Sequence, residues 1–255
     1  MILANKRFFA SLLCLIILSG FAFADNSFSF AVFGDNHNNE IVFGDLLKKV
    51  KQDKSVVFAI NCGDFVYSGT KEEYLKYLKT ITGLGIKVYN VPGNHDLAAG
   101  GWKNYEKYMG PYYYSFDHGN SHFIVLNNAF KVSFGAGQFS WLKSDLANTK
   151  KEHIFVFMHR PTFDPTEIYA GYTMSGAKVV QELMQLFSKY KVDYVFAGPV
   201  HGYAREKRDG VTYIVTGGAG APLHLPANFG GFNNYVKISV DGNKVMDRVV
   251  RLYGS

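Results

Sequence analysis

The chain has 255 residues, and its 27 Lys and Arg residues exceed its 21 Asp and Glu residues, which gives a formal net charge of +6. The basic residues are scattered and form no run longer than Lys48-Lys49 or Lys150-Lys151, so we expect no binding to nucleic acid. Aromatic residues make up 16% of the chain, and we expect most of them in strands and in the core.

The N-terminal residues 1–24 have the pattern of a secretory signal peptide. Lys6 and Arg7 precede a nearly apolar run that ends at Leu18, and Ala22-Phe23-Ala24 supplies the small residues after which a signal peptidase cuts. The run is shorter than the ~20 apolar residues that a membrane anchor needs. We therefore predict a cleaved signal peptide of bacterial type, a secreted or periplasmic location, and no membrane anchor in the mature chain.

The remaining residues, 25–255, are predicted to form a single domain. Removing 24 of the 255 residues leaves 231, a length that fits one α/β domain. Cys62 is then the one cysteine left in the sequence. No internal disulfide can form in such a chain, so packing of the core must stabilise the fold.

In the first half of the chain, apolar runs typical of strands alternate with helical patterns. Val42, Leu46 and Val50 recur at helical spacing, and a short helix is predicted at 74–79. This alternation predicts parallel strands with crossover helices, and the carboxyl ends of such strands share one edge of the sheet. The strand-like runs are SFSFAVFGD, SVVFAINCGD and IKVYNVPGNHD, which end at Asp35, at Asp64, and at Asn94 with His95 and Asp96.

In the second half, the predicted order of elements differs. YYYSFDHGNSHFIVLNN predicts a hairpin around residues 118–120, a helix with Leu142 and Leu146 on one face follows, and another helix runs from about Ser175, a candidate N-cap, to Tyr190. Together these elements predict an α/β fold in which two mixed sheets pack face to face with helices outside. The strand-like runs here are HIFVFMHRP and VDYVFAGPVHG, ending at His159 and His201, and then VTYIVTGG and YVKISVDGNKVMDRVVRLY, which we expect to be antiparallel.

Side chains with oxygen or imidazole nitrogen donors stand at five of these strand ends. Each alone could be a helix cap or a turn residue, but turn chemistry does not account for all five. Without thiolates, such a set suits divalent ions such as Mn, Fe or Zn. A bridging carboxylate can hold two ions ~3.5 to 4 Å apart, which polarise a phosphate and lower the pKa of a bound water to ~7. The donors are Asp35 with His37, Asp64, Asn94, His159 and His201.

Five short motifs carry a resemblance to a known family. They are GDNH (34–37), GDFVYSG (63–69), GNHD (93–96), FMHRP (157–161) and GPVH (198–201). In this order they resemble the calcineurin-like metallophosphoesterase superfamily. Gln138 with Trp141-Leu142, and TGGAGAP (216–222), are similar to its branch of purple acid phosphatases and other exported phosphohydrolases. The resemblance implies a four-layer α/β/β/α sandwich and hydrolysis of a phosphorylated small-molecule substrate.

The resemblance also implies a role for each site residue. His95 would not bind metal but would protonate the leaving oxygen as a general acid. Asp96 could orient His95 or its loop, or cap a helix, and Arg160 could pair with phosphate oxygens or be a surface residue. The implied ligands are Asp35, His37 and His201 for a first ion, Asp64 as the bridge, and Asn94 and His159 for a second ion.

One position departs from the family's pattern at the second ion. The usual Gly-His-x-His places a second-ion ligand where this chain has Pro199, which has no side-chain donor. Three outcomes are open: the second ion binds weakly with water in the gap, another residue such as His224 replaces the ligand, or the protein holds one ion and catalyses slowly or not at all.

A second departure concerns Tyr67. Purple acid phosphatases have a tyrosinate ligand at this position and Gly where this chain has His37. Because one coordination position does not need both residues, we expect His37 to be the ligand and Tyr67 to be a packed aromatic.

The sequence thus predicts an exported metal-dependent phosphoesterase that acts on phosphate mono- or diesters with a metal-bound hydroxide. The alternative is a non-catalytic or weakly active member of the fold that binds a phosphorylated ligand or a partner. Substrate choice is expected to lie in segments 97–111, 161–174 and 217–234, of which 161–174 directly follows His159.

Overall fold

The computed structural model describes residues 26–130, 134–168 and 170–254, so the predicted signal peptide at 1–24 lies outside the described residues. The strands are β1 (Ser27–Phe33), β2 (Val56–Asn61), β3 (Lys87–Asn90), β4 (Tyr114–His118), β5 (Ser121–Val125), β6 (His153–Phe157), β7 (Tyr194–Ala197), β8 (Tyr203–Arg208), β9 (Val211–Thr216), β10 (Asn234–Asp241) and β11 (Lys244–Arg251). The helices are α1 (Glu40–Gln52), α2 (Lys71–Thr82), α3 (Asn94–Leu97), α4 (Gly101–Tyr108), α5 (Ala136–Asn148) and α6 (Ala177–Lys189).

The first sheet has five strands in the order β11-β10-β1-β2-β3. Strands β1, β2 and β3 run parallel to one another, as the alternating pattern predicted, and β10 pairs antiparallel with β1. Because β1 and β2 are parallel neighbours, the loops after them leave the sheet at the same edge.

The second sheet has six strands in the order β4-β5-β6-β7-β9-β8. The predicted hairpin is present, with β4 and β5 antiparallel, and β5, β6 and β7 are parallel. The prediction for VTYIVTGG was only partly right, because β9 is antiparallel to β8 but parallel to β7. Strand β8, which ends in four consecutive charged residues, was not predicted.

An aromatic layer joins the two sheets face to face. Phe30 of β1 is fully buried, and the centre of its ring lies 5.2 Å from that of Phe123 and 5.1 Å from that of Phe155, both in the second sheet. Phe58 of β2 stacks on Phe30 at 5.3 Å. These edge-to-face and stacked contacts are favourable aromatic geometries. Together with Phe157 and Phe196 they form the central part of the core.

Helices cover the outer faces of both sheets, so the predicted layer order of helix, sheet, sheet and helix is confirmed. Helices α1, α2 and α4 pack on the first sheet, and α5 and α6 pack on the second. Helix α2 is longer than predicted because Thr70 and Glu73 form a capping box that starts it earlier. The predicted cap at Ser175 is wrong, since Gly176 precedes the first turn of α6. No helix among the described residues has the length and apolar character needed to cross a bilayer.

Candidate metal centre

The loops at the carboxyl ends of β1, β2, β6 and β7 bring the predicted donors together. Ligand atoms of Asp35, His37 and His201 lie within 4.8 Å of one another, and so do those of Asp35, Asp64 and His159. The structure thus assembles residues that stand up to 166 positions apart in the chain (201 minus 35). Such a convergence is the geometry that a cation site requires.

Three of these residues have left-handed backbone conformations that side chains rarely adopt. The φ angles are 60° at Asp35, 43° at His37 and 53° at Asp64. Such conformations cost ~1 to 3 kcal/mol each and persist only where the surrounding structure determines them. The strain therefore coincides with the cluster of donors.

Two glycines allow the loops of the site to approach closely. A Cβ atom at Gly93 would lie 2.2 Å from both the backbone nitrogen and Oδ1 of Asp64, and one at Gly198 would lie 2.4 Å from Oδ2 of Asp35. Neither distance is possible for a real side chain, so only glycine fits at these two positions.

Backbone carbonyls orient two of the imidazoles. Nδ1 of His159 bonds the Cys62 carbonyl at 2.9 Å, and Nδ1 of His201 bonds the Pro222 carbonyl at 2.7 Å. A carbonyl only accepts, so each Nδ1 carries the hydrogen and Nε2 is the atom that faces the carboxylates. Carbonyl partners of this kind are typical of metal-binding histidines.

Asp64 lies between two imidazoles. Its Oδ2 is 3.3 Å from Nε2 of His159 and 3.5 Å from Nε2 of His37. Burial alone would raise the pKa of Asp64, but His159 and His37 outweigh it and hold that pKa well below its usual range. Likewise burial would lower the pKa of His159, but Asp64 raises it to about 9. The pocket thus favours positive charge on its imidazole side.

Asp35 provides the test of whether a cation fits the first set of ligands. Its side chain is fully buried, and within the described residues neither carboxylate oxygen has a hydrogen-bond partner. Nε2 of His201 approaches one of them only to 3.5 Å, and Nε2 of His37 also has no hydrogen-bond partner in the described part of the chain. A buried carboxylate needs a compensating charge, and a divalent ion between these atoms would supply it. The residues of the first set therefore fit a cation.

The predicted second set is arranged differently. Oδ1 of Asn94 lies 3.2 Å from Nε2 of His159 and accepts a hydrogen bond from Nη2 of Arg160 at 3.0 Å. Pro199 is buried between Gly198 and His201 and adds no donor atom. The second set thus offers fewer donors than the first, and one of them is already bound.

His95 is half-buried beside the cluster, and one of its ring nitrogens lies within 4.8 Å of ligand atoms of His37 and Asp64. Its Nδ1 bonds the Tyr67 carbonyl at 2.7 Å and its backbone nitrogen donates to Oδ1 of Asp64 at 2.8 Å. Its ring centre is 4.6 Å from that of His37. The expectation that Tyr67 is packed was wrong, because the residue is 59% exposed, although its ring centre lies 5.3 Å from that of His95 and 5.8 Å from that of His37.

Asp96 stabilises the backbone of the site rather than orienting the ring of His95. Its Oδ2 accepts from the backbone nitrogens of Asp64 at 2.8 Å and Gly93 at 2.7 Å, and its Oδ1 accepts from that of Val66 at 3.1 Å. The bond between Asp96 and the backbone nitrogen of Gly93 caps α3 and also fixes the loop. Two of the roles that the sequence left open for Asp96 are therefore performed by the same contact.

Two buried amides hold loops near the site: Asn128, which was not predicted from the sequence, and Gln138, which the sequence indicated only as part of the family resemblance. Oδ1 of Asn128 accepts from the backbone nitrogens of His159 at 2.8 Å and Arg160 at 3.0 Å, and Gln138 bonds both backbone groups of Asn127. The available signal was the pair Asn127-Asn128, which ends a strand just as the predicted ligands do.

The loop that contains His224 does reach the site. The ring of His224 stacks on that of His201 at 3.9 Å, and Tyr172 stacks on its other side at 5.1 Å. His224 is not among the groups of ligand atoms found close together in the described residues. The ring of His224 thus contacts a residue of the first set.

A sandwich of two mixed sheets with Asp, Asn and His side chains at the carboxyl ends of its central strands is the architecture of the metallophosphoesterases. The chain belongs to the calcineurin-like phosphoesterase family, whose family model matches residues 28–203.

Known proteins agree with this membership. Purple acid phosphatase 23 of Arabidopsis thaliana is 33% identical over 132 residues, which are 51% of this chain and 27% of that protein. Phosphoenolpyruvate phosphatase of Allium cepa is 30% identical, over 48% of this chain and 27% of that protein. The chain thus spans about a quarter of the length of these relatives.

Solved structures show the same fold at low sequence identity. The purple acid phosphatase PPD1 from seeds of yellow lupin (Lupinus luteus) has a TM-score of 0.76 at 17% identity, covering 89% of this chain and 52% of that one. A dimetal phosphatase from Danio rerio has a TM-score of 0.71 at 14% identity, covering 90% and 98% respectively.

Proposed function

We propose that this protein is an exported, metal-dependent phosphoesterase that acts on a phosphorylated small molecule. The observation that carries the proposal is the buried Asp35 carboxylate, without a hydrogen-bond partner in the described residues and facing the imidazoles of His37 and His201. Membership of the phosphoesterase family supports hydrolysis of a phosphate ester. Export to a secreted or periplasmic location is inferred from the sequence pattern of residues 1–24.

The first set of ligands would consist of Asp35, His37, Asp64 and His201, with Mn, Fe or Zn as candidate ions. When bound, such an ion polarises the phosphate and lowers the pKa of water at the site. Asp64 also faces His159, which in turn lies beside Asn94, so Asp64, Asn94 and His159 are the residues that would hold a second ion. Because Pro199 has no side-chain donor, it affects how strongly the second position binds an ion.

His95 is proposed as the general acid. A water oxygen attacks phosphorus and releases one proton to solvent, the bond between phosphorus and the ester oxygen breaks, and the departing oxygen takes a proton from Nε2 of His95, which then regains a proton from solvent. The carbonyl of Tyr67 accepts a hydrogen bond from Nδ1 and so leaves Nε2 directed away from the backbone. Tyr67, exposed beside this ring, would contact the leaving group.

The first activity to test is the hydrolysis of phosphate monoesters. The Allium cepa relative is named as a phosphatase of phosphoenolpyruvate, a small phosphorylated acid. We therefore expect the purified mature chain to release p-nitrophenol from p-nitrophenyl phosphate in the presence of Mn²⁺, with bis-p-nitrophenyl phosphate as the test of diester hydrolysis.

Two variants separate metal binding from proton transfer. Asp64→Ala should abolish both turnover and metal retention, whereas His95→Ala should lower turnover by ~10²- to 10⁴-fold with nearly intact metal content. Asp241→Ala, an exposed carboxylate at the end of β10, is the control and should change neither. Equal loss of metal in the His95 and Asp64 variants would contradict the assigned roles.

A second candidate function is motivated by Pro199. If the missing donor removes catalysis, the chain would bind a phosphorylated ligand or a partner without hydrolysing it. Inactive wild-type protein together with an active Pro199→His variant would support this second function over the first.

A further inference from the structure

The position of the second predicted ion lies beside a guanidinium. Nη2 of Arg160 donates to Oδ1 of Asn94 at 3.0 Å, and the same oxygen is 3.2 Å from Nε2 of His159. The amide oxygen that a second ion would need is therefore bound by a group that is already positively charged.

Arg160 is held in place from three separate segments. Its Nε donates to the Ala129 carbonyl at 2.9 Å and its Nη1 donates to the Tyr172 carbonyl at 3.3 Å, in addition to the bond with Asn94. The side chain is half-buried, and Oδ1 of Asn128 accepts a hydrogen bond from its backbone nitrogen at 3.0 Å. An arginine with these partners is a fixed part of the site, not a solvated surface residue.

The charges of the site favour a single positive group at this position. Burial lowers the pKa of Arg160, and the negative charges of Asp64 and Asp35 oppose that effect. Pro199 stands where the family's pattern has a side chain that would bind a divalent ion. An ion between Asn94 and His159 would also lie close to the positive charge of Arg160 and be repelled by it. The guanidinium keeps its charge because arginine does not lose its proton in proteins.

We propose that Arg160 takes the place of the second cation, so that the chain binds one divalent ion at Asp35, His37, Asp64 and His201 and binds phosphate oxygens through the Arg160 guanidinium. This inference rests on the proposed function, because it assigns the same site to a phosphorylated substrate. It predicts a phosphoesterase that uses one ion and one arginine.

The hydrogen-bonding capacity of Arg160 suits this role. A guanidinium has five N–H donors, and three of them are used in the contacts with Ala129, Tyr172 and Asn94, which leaves two within the described residues. One lies on each terminal nitrogen, and N–H groups on both terminal nitrogens can donate to two oxygens of a phosphate.

Metal content and phosphate binding test the inference without requiring turnover. We expect elemental analysis after dialysis against Mn²⁺ to give one ion per chain for the wild type and for Arg160→Met. Calorimetric titration with inorganic phosphate should show affinity at least ~10-fold weaker for Arg160→Met, since a charged fork is lost. The double variant Pro199→His with Arg160→Met should bind two ions, because the donor is restored and the competing charge is gone.

The controls separate charge, hydrogen bonding and folding. Arg248→Met removes an exposed arginine from β11 and should change neither the ion count nor the affinity for phosphate. Arg160→Lys keeps a positive charge without the fork, so its phosphate affinity should lie between those of the wild type and Arg160→Met.

Three results would overturn the inference: two ions in the wild type, unchanged phosphate affinity in Arg160→Met, or one ion in the double variant. Loss of hydrolysis alone would count against the proposed function and leave these readouts unaffected. The two proposals can therefore fail separately.

Discussion

Single glycines decide how closely the loops of the site approach one another. Gly198 follows β7 and lies against the carboxylate of Asp35, the carbonyl of Cys62 and the imidazole of His159. Its φ angle is not in the left-handed region, so the requirement for glycine comes from space and not from backbone conformation. An added methyl group would overlap the carboxylate of Asp35 unless that side chain moved.

Gly198→Ala should therefore weaken metal binding. A Cβ 2.4 Å from Oδ2 of Asp35 must displace that carboxylate, and misplaced ligands typically cost ~10- to 100-fold in affinity. Calorimetric titration with Mn²⁺ measures the effect. Gly44→Ala in α1 is the matched control, because its added Cβ meets nothing within 4 Å and should leave Mn²⁺ affinity unchanged while stabilising the fold by ~0.5 to 1 kcal/mol. Equal Mn²⁺ affinity in the two variants would contradict the explanation.

Elements are joined by polar contacts as well as by apolar packing. His122 of β5 is buried, with Nδ1 2.6 Å from Oδ1 of Asp117 on β4 and Nε2 2.8 Å from Oδ2 of Asp145 on α5. Burial alone would lower the pKa of His122, but the hydrogen bonds to Asp145 and Asp117 outweigh it and raise the pKa. The protonated imidazole thus links a hairpin to a helix far from the metal centre.

The raised pKa of His122 makes part of the stability dependent on pH. The contribution is fully present below the unfolded pKa of ~6.5 and is lost as pH rises through the higher folded pKa. His122→Gln should therefore lower the free energy of unfolding more at about pH 6 than at about pH 9. Urea denaturation of wild type and variant at both values measures the difference. A loss that is the same at both pH values would mean that His122 acts only through packing.

At the scale of the whole molecule, the aromatic layer between the sheets fixes where the strand ends meet. Phe30 is fully buried within 5.3 Å, centre to centre, of Phe58, Phe123 and Phe155. Asp35 and Asp64 lie in the loops after β1 and β2 of the first sheet, whereas His159 and His201 lie in the loops after β6 and β7 of the second sheet. The site therefore depends on the packing of the two sheets.

Phe30→Ala should lower the free energy of unfolding by ~3 to 5 kcal/mol, because it leaves a large cavity between two sheets. Equilibrium unfolding in urea provides the measurement. Val57→Ala on the neighbouring strand is the control, since that side chain is 42% exposed and its loss should cost no more than ~0.5 kcal/mol. Similar losses in both variants would exclude a cavity as the cause.

The sequence by itself determined most of the strands, most of the helices and the set of candidate ligands. These depend on local patterns: an apolar run that ends in Asp, Asn or His is visible within ten residues, and parallel strands bring such ends to one edge. The wrong cap at Ser175 is an error in a helix boundary, and the partly wrong pairing of β9 is an error in the choice of neighbouring strand. Local patterns determine these two features least.

Only the tertiary structure decided what surrounds those ligands. The acceptors of the Arg160 guanidinium lie 31, 12 and 66 positions away in sequence, and the backbone nitrogens that Asp96 binds at Asp64 and Val66 lie 32 and 30 positions away. The exposure of Tyr67 likewise depends on which loops cover it. Contacts between distant segments depend on how the two sheets pack, and no local pattern in the chain encodes that geometry.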